Sequence, residues 1–485
     1  MGQKRGTPAV EPGKDAVFAE LMGLRGRGVA DGEVAIRGRD PFFRTPFRVG
    51  ETVAATIAAT GVAANDIWEM RTGRRQRLGV DLRQAAARLR TVDYSQARDA
   101  GGAFRNIPIP QVMSEMLKVT QPWRTRDGRW VLPHFNLPNL KARVLGVLKC
   151  DYTPESVRAA VSQWNADDLE EAIAAVHACG GKIRTAEEWL EHPQGKVLAA
   201  KPVVTVTRIG DSAPEPFHPG DRPLSGLRVL DLTRVLAGPV AGRSLAEHGA
   251  DVLMVTAPGL PQTPEHVRDT SHGKRSCFLD YTKPDEAERL WELAEGADVF
   301  VDGYRRGRLA AHGFGMEELM KRRPGLICVN VSCFGSEGPL AQRAGWEQVA
   351  QVMTGVCHAN GMLTGAGQPK LVFAPLCDYT TGFLAAYGTM LALARRAREG
   401  GSYYVETTLC QAAMLVLRQG FVEDFSAAPE RLTEAEIAAS YVLEPGTAYG
   451  DLRTLGPALE MSETPCNWPH PTPKLGGDSP AWMPR

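Results

Sequence analysis

From Leu227 onward the chain alternates short, continuously apolar runs with helical segments. The runs are Leu227–Leu232 (LRVLDL), Asp251–Thr256 (DVLMVT), Val299–Val301 and Leu326–Val331. Strands without a polar face are strands covered on both sides, and their alternation with helices predicts a parallel, doubly wound sheet. The intervening helices carry their own punctuation. Pro239–Gly249 has a proline near its start and a glycine at its end, the usual asymmetry of helix termini. In Lys283–Gly296, Ala287, Leu290, Trp291 and Ala294 fall at helical spacing, with Thr282 and Asp285 placed to cap it. The fold class this predicts is α/β, with a second, smaller α+β domain upstream.

The upstream part reads differently. Residues 1–45 are rich in Gly, Arg and Pro and predict a poorly ordered lead-in. Thr52 to Leu89 reads helix, then strand at Arg77–Leu82, then helix. Asp127 to Val204 forms the small α+β unit, with a short strand at Trp130–Pro133 followed by helical segments around Leu137–Leu148, Thr153–Trp164 and Leu169–His177. A proline- and charge-rich connector, GDSAPEPFHPGDRP, marks a boundary. The division is therefore 1–45, 46–210, a linker at 211–223, 224–430 as the large domain, and 431–485 as a C-terminal segment returning to it.

One internal repeat crosses this division. Gly61–Ala86 lies on Gly388–Ala413 without a gap, matching Gly61 with Gly388, Arg71 with Arg398, Gly73 with Gly400, and Gln84-Ala85-Ala86 with Gln411-Ala412-Ala413. On that register Glu51 falls opposite Asp378. A structural role is the expectation for Glu51.

Charge excludes some partners. Lys+Arg and Asp+Glu number 56 each among 485 residues, so there is no bulk electrostatic case for nucleic acid or a membrane surface. Nine cysteines occur without a CxxC pair, which fits reduced thiols better than a disulfide framework or a zinc site. No apolar stretch suits a signal peptide or a bilayer span. A cytoplasmic protein without a bound metal is expected.

Three places could carry chemistry. The loop after the first strand, Arg234-Val235-Leu236-Ala237-Gly238-Pro239, lacks GxGxxG, so the usual hydride-transfer fingerprint is missing. It still presents helix N-terminal N–H groups at a sheet edge where ligands bind, although a plain strand-to-helix turn fits the same residues. His272-Gly273-Lys274-Arg275 and Gly303-Tyr304-Arg305-Arg306-Gly307 are basic loops suited to phosphates; singly each reads better as solvated charge, and together at one sheet edge the two readings stand about even. Asp378 directly precedes a long apolar helix, Gly382 to Ala394. It fits an N-cap, and equally an ionised carboxylate held for covalent acyl transfer.

The stretches PLSGLRVLDLTRVLAGPVAG, LAEHGADVLMV, HGKRSCFLDY, ADVFVDGYRRG, RRPGLICVNVSCFGSEGP, GWEQVAQ and APLCDYTTGFLAA together resemble the family III CoA-transferases, a family that includes acyl-CoA racemases and carnitine and bile-acid CoA-transferases. The resemblance implies a Rossmann-like large domain and catalysis by Asp378, with Glu347 orienting substrate or thiol. It implies CoA contacts at Arg234, Val235, Ala237, Lys274, Arg275, Tyr304, Arg305 and Gly335, with oxyanion donors around Gly335–Gly338. Coenzyme A and acyl-CoA enter as substrates rather than tightly bound cofactors, the partners being an acyl-CoA donor, a carboxylic-acid acceptor and a second copy in a homodimer. The order departs from the family's, because Asp127–Val204 resembles its small domain, which ordinarily comes last. Trp346 stands where racemases carry a base histidine, which disfavours proton exchange at an α-carbon. Racemase or isomerase activity, and a non-catalytic acyl-CoA binder, are the alternatives.

Overall fold

The computed structural model of the chain describes residues 14–484. Its main sheet has seven strands in the order Arg275–Phe278, Asp251–Thr256, Arg228–Leu232, Val299–Asp302, Ile327–Ser332, Ser402–Thr408 and Thr205–Gly210. The first six are parallel and the last is an antiparallel edge. Numbered along the chain from Arg228, the parallel strands run 3-2-1-4-5-6, the dinucleotide-fold order. The expected α/β architecture is observed, with strand limits within a residue or two of those read from the apolar runs. The edge strand Thr205–Gly210 belongs to this sheet although it precedes the connector.

The repeat is physical. Val49–Thr72 and Leu376–Glu399 are both helices of 24 residues, packed on each other, with Thr60 Oγ1 donating to the Phe383 carbonyl at 3.3 Å. Each ends at a positive-φ glycine, Gly73 or Gly400, where a β-carbon would be strained. A strand follows, Leu78–Asp81 or Ser402–Thr408. The strand's last side chain then caps the next helix: Asp81 accepts from the N–H groups of Arg83 and Gln84, and Thr408 from that of Gln411. The strand neighbours repeat as well. Leu78–Asp81 lies between parallel Val34–Arg37 and antiparallel Leu459–Met461, as Ser402–Thr408 lies between parallel Ile327–Ser332 and antiparallel Thr205–Gly210.

The matched glycines mark where each helix meets its sheet. A β-carbon on Gly61 would come within 2.8 Å of Leu459, and one on Gly388 within 2.5 Å of Val204. Val53, Val62 and Ile67 of the first helix are fully buried; truncating Ile67 to alanine would cost about 2–5 kcal/mol.

Two boundary expectations change. Residues 14–45 are not a loose lead-in: Lys14–Arg25 is a helix with Val17 and Leu21 buried, and Val34–Arg37 is a strand. Apolar spacing within the helix outweighs the Gly/Arg/Pro composition of the whole segment. The part of that expectation on residues 1–13 lies outside the described residues. The C-terminal segment first joins the N-terminal half, through Gly450–Leu455 and Leu459–Met461. Only then does it reach the large sheet, where Asp478 accepts the Ser276 N–H at 2.7 Å. Among the described residues no helix is long and apolar enough to cross a membrane.

Candidate active site

Asp378 is the third residue of the Leu376–Glu399 helix, so it sits inside the first turn rather than capping it. Pro375 precedes the helix and offers no side-chain cap, which leaves first-turn N–H groups unpartnered. Glu347 takes one of them: its Oε2 accepts the Asp378 N–H at 2.7 Å. Glu347 is itself held by Gln351, one turn along the Glu347–Thr354 helix, which donates to Oε1 at 2.8 Å. Gln351 Oε1 in turn accepts the Val372 N–H at 2.8 Å. A single amide thus ties the carboxylate helix to the segment leading into Asp378.

Both carboxyl groups are buried, at 8% and 4% exposure. No hydrogen bond from a described residue ends on the Asp378 carboxylate. Burial pushes the Asp378 carboxyl well above the usual range, and the neighbouring Glu347 charge pushes it further. Glu347 is also raised by burial, opposed by the donors from Gln351 and the Asp378 N–H. Two carboxylates so placed resist double ionisation, so the pair retains a proton where a lone carboxylate would have lost it. The thiols of Cys333 and Cys377, close by, are raised far above normal by burial and stay neutral.

The sheet places this pair beside its ligand-binding edge. Strands Arg228–Leu232 and Val299–Asp302 are neighbours whose connections leave in opposite directions, and their carboxyl ends frame the crevice of such folds. Arg234, Val235 and Ala237 follow one strand; Tyr304 and Arg305 follow the other. Val235 is held at φ 72°, costly for a β-branched residue and common where a loop serves a ligand. Gly382, one turn beyond Asp378, approaches the Ala237 carbonyl so closely that a β-carbon would lie 2.6 Å from it. Burial pushes Asp302 up to about 7 and Tyr304 up to about 12 in this crevice.

The other basic cluster is elsewhere. Arg275 begins its strand and pairs with Asp251, the first residue of the adjacent parallel strand, at 2.9 Å, so it lies at the amino edge. Lys274 is fully buried, bonded to Asp231 Oδ2 at 2.7 Å and the Pro239 carbonyl at 2.8 Å. The expectation that both basic loops share one edge is corrected: the first precedes a strand and the second follows one. Neither Lys274 nor Arg275 offers a free cation to a phosphate. Gly335 has its N–H engaged by Ser332 Oγ at 3.1 Å, so it is not an unspent oxyanion donor.

Several site residues gave no sequence signal. Tyr379, beside Asp378, bonds Asp269 Oδ2 at 3.0 Å and Thr91 Oγ1 at 2.6 Å, while Arg243 pairs with Asp269 at 3.3 Å. Through Thr91 the N-terminal half reaches the residue adjoining Asp378. His134 stacks on Trp346 at 5.1 Å between ring centroids; burial pushes its pKa down to about 4, so it is neutral at pH 7. Its Nε2 lies 3.0 Å from Gln348 Oε1.

The repeated half carries a related arrangement. Glu51 is the third residue of its helix, and its N–H donates to Asp40 Oδ2 at 2.8 Å. Gly38-Arg39-Asp40 stands to Glu51 as Gly345-Trp346-Glu347 stands to Asp378. Asp40 is pushed up to about 7 by burial. Glu51, however, is ion-paired with Arg48 at 3.1 Å, where the matching position before Asp378 is Pro375.

A cleft of about 290 Å³ lies between the small unit and the large domain, lined by His177, Ala178, Arg305, Phe334, Arg343 and Met353 among others. Phe334 adjoins Cys333, and Met353 shares a helix with Glu347. A larger hollow of about 650 Å³, around Leu148 and Gln163 on the small unit's outer helices, shares no residue with it.

The sequence profile of CoA-transferase family III matches residues 2–214 and 224–443. An acyl-CoA transferase of Gibberella moniliformis is 33% identical over 62% of this chain and 57% of its own length. The acetyl-coenzyme A transferase nodX of Hypoxylon pulicicidum is 28% identical over 76% of this chain and 69% of its own. The succinyl-CoA:glutarate CoA-transferase of Mus musculus is 34% identical over 41% and 48%. The chain thus spans about half to two thirds of the length of these relatives. A crystal structure of a Mycobacterium tuberculosis protein, Rv3272, is 31% identical over 43% of this chain and 58% of that one, with a TM-score of 0.38.

Proposed function

This chain belongs to CoA-transferase family III, and on that premise we propose that it moves coenzyme A between carboxylic acids through a covalent intermediate on Asp378. The observation that carries the reading is a buried carboxylate with no counter-ion among the described residues, its backbone fixed by a second carboxylate beside the ligand-binding edge of the sheet. Relatives named as acyl-CoA and succinyl-CoA:glutarate transferases support the reaction class.

Ionised Asp378 attacks the donor thioester carbonyl; the C–S bond breaks, giving a mixed anhydride and CoA thiolate. The thiolate attacks the aspartyl carbonyl, releasing the donor acid and leaving an aspartyl-CoA thioester. The acceptor carboxylate attacks that thioester, expelling thiolate and forming a second anhydride. Thiolate then attacks the acceptor acyl carbon, and Asp378 is restored. Each activated species would hydrolyse in water, and burial of the pair limits that loss. Glu347 orients Asp378 through its backbone N–H, and burial together with the Glu347 charge holds the Asp378 proton, so Asp378 becomes an anion only after that proton leaves. Arg234, Val235, Ala237 and Tyr304, at the crevice, are the residues assigned to CoA.

Incubating the protein with a panel of acyl-CoAs and hydroxylamine tests this. Hydroxylamine converts an activated carboxyl to a hydroxamate, visible in intact mass. A mark mapped to Asp378, and lost in Asp378→Ala, is expected. CoA binding without a mark from any donor would refute the covalent route.

A further inference from the structure

Gln351 is a buried amide whose two ends cannot be exchanged. It is 1% exposed and lies one turn after Glu347 in the same helix. The Val372 N–H can only donate, so the atom facing it at 2.8 Å must be the amide oxygen, Oε1. The NH2 end is then turned to Glu347 Oε1 at 2.8 Å and, more distantly, to the Ala374 carbonyl at 3.5 Å. A flipped amide would set oxygen against carboxylate and hydrogen against hydrogen.

The amide joins a docked helix to the segment that carries the nucleophile. The Glu347–Thr354 helix is held on the small unit: Gln348 Oε1 lies 3.0 Å from His134 Nε2, and the Val352 carbonyl accepts the Arg184 N–H at 3.0 Å. Residues 372–375 run directly into the Asp378 helix. Glu347 meets the first turn of that helix through the N–H of Asp378 and through the N–H and thiol of Cys377. Besides Asp378, the titratable groups facing Glu347 among the described residues are the Cys333 and Cys377 thiols, both held neutral by burial. The Gln351 amide thus favours Glu347 as the ionised member of the pair and leaves the proton to Asp378.

The N-terminal half lacks this tie. Asp40 accepts backbone N–H groups of Glu51, Gly50 and Phe42, and no side chain among the described residues donates to it. Four residues on, where Gln351 follows Glu347, stands Arg44, whose Nε goes instead to the Ala428 carbonyl at 3.1 Å. The amide is present in the half where the acid lacks a counter-ion among the described residues, and missing in the half where Arg48 pairs with Glu51.

We propose that Gln351 is a positioning residue for the transfer, tying Glu347 to the segment before Asp378 so that the Asp378 carboxylate is presented to the thioester carbonyl. The proposal rests on the CoA-transfer reading and adds to it a residue that acts through Glu347.

The test is a double-mutant cycle of Gln351→Met and Glu347→Gln, with kcat/KM followed against pH. A second profile is independent of turnover: the pH dependence of Asp378 modification by a water-soluble carbodiimide and an amine, mapped by peptide mass spectrometry. Gln351→Met keeps the length of the side chain and removes both hydrogen bonds. Glu347 then loses a donor that favours its anion, so less charge faces Asp378, which ionises at lower pH. Both profiles should therefore move to lower pH. At the plateau kcat should fall on the order of tenfold, while KM for the CoA thioester stays within about twofold. In the Glu347→Gln background, adding Gln351→Met should move neither profile further. Lost activity with both profiles unmoved, or an equal shift in the Glu347→Gln background, would overturn the proposal and leave Gln351 a packing residue. Should Gln351→Met not fold, Gln351→Asn, whose amide is one methylene short of its partners, carries the same expectations. Failure of the underlying reading looks different, with no transfer by the unaltered protein and no hydroxamate at Asp378. The carbodiimide profiles then decide: a shift that depends on Glu347 upholds Gln351 as the residue that sets Asp378, and its absence ends the proposal.

Discussion

The two halves of the molecule present nearly the same carboxylate device with opposite charge balance. In each, a helix of 24 residues carries an acid at its third position, and the N–H of that acid is held by another carboxylate upstream, Asp40 for Glu51 and Glu347 for Asp378. The N-terminal acid is paired with Arg48, while the C-terminal one has a proline in that place and no counter-ion among the described residues. A carboxylate in an ion pair is stabilised as the anion and is a weaker nucleophile; one buried beside a second acid is destabilised as the anion and reacts once ionised. The comparison teaches that the backbone arrangement alone does not make a nucleophile. The surrounding charge does.

The largest expected effect breaks the symmetry outright. Asp378→Ala should lower steady-state transfer on the order of a thousandfold or more, while Glu51→Gln should change it about twofold at most. Comparable losses in both variants would mean that the halves share the chemistry.

Removing the second acid should be milder. In Glu347→Gln the amide oxygen can still accept the Asp378 N–H, but the charge that raises Asp378 is gone. Transfer requires the Asp378 anion, so activity rises with pH through a carboxyl pKa above the ordinary range. The variant should move the acid limb of kcat/KM to lower pH and cost about tenfold at the optimum. An unmoved limb would place the titrating group elsewhere.

Asp40 gives a stability effect. Its carboxyl is pushed up to about 7 by burial, against about 3.9 in an unfolded chain. The folded state therefore binds the proton more tightly, and the stabilisation this gives at low pH is lost as pH rises from about 4 to about 7. Asp40→Asn should flatten that part of the unfolding profile, with a relative gain on the order of 2–3 kcal/mol at pH 8 over pH 5. Parallel profiles for the two proteins would show that Asp40 does not titrate there.

Least of all should follow from Arg48→Ala. Its pair with Glu51 is partly buried, at 15% and 4% side-chain exposure, and its loss should cost about 0.5–1 kcal/mol in chemical denaturation. Transfer should be unaffected. A fall in transfer would mean that the N-terminal pair acts on the reaction.

Much of this was legible because local pattern carried it. Continuous apolar runs marked the parallel strands, the gapless repeat marked the duplicated helix–strand–helix, and Asp378 stood out by its place at a helix start. What was not legible depends on contacts distant in the chain. Nothing near Gln351 announces that it joins Glu347 to Val372, and Tyr379 finds Thr91 from 288 residues away. Lys274 and Arg275 were misplaced because a basic loop looks the same whether it enters or leaves a strand. The order of strand and loop decides the sheet edge, and here the loop comes first. The helix at Lys14–Arg25 was hidden by the composition of its neighbours, although Val17 and Leu21 had the spacing of a buried face.

The most direct test of the central claim follows oxygen. An acceptor acid labelled with ¹⁸O in its carboxylate passes one labelled atom to the nucleophile when the second anhydride is opened at the acceptor carbon. After a single turnover, peptide mass spectrometry should find the Asp378 peptide heavier by about 2 Da, the difference between ¹⁸O and ¹⁶O, with the Glu51 peptide unchanged. Turnover with no label on Asp378 would contradict the account, and label on Glu51 would reverse the comparison on which it stands.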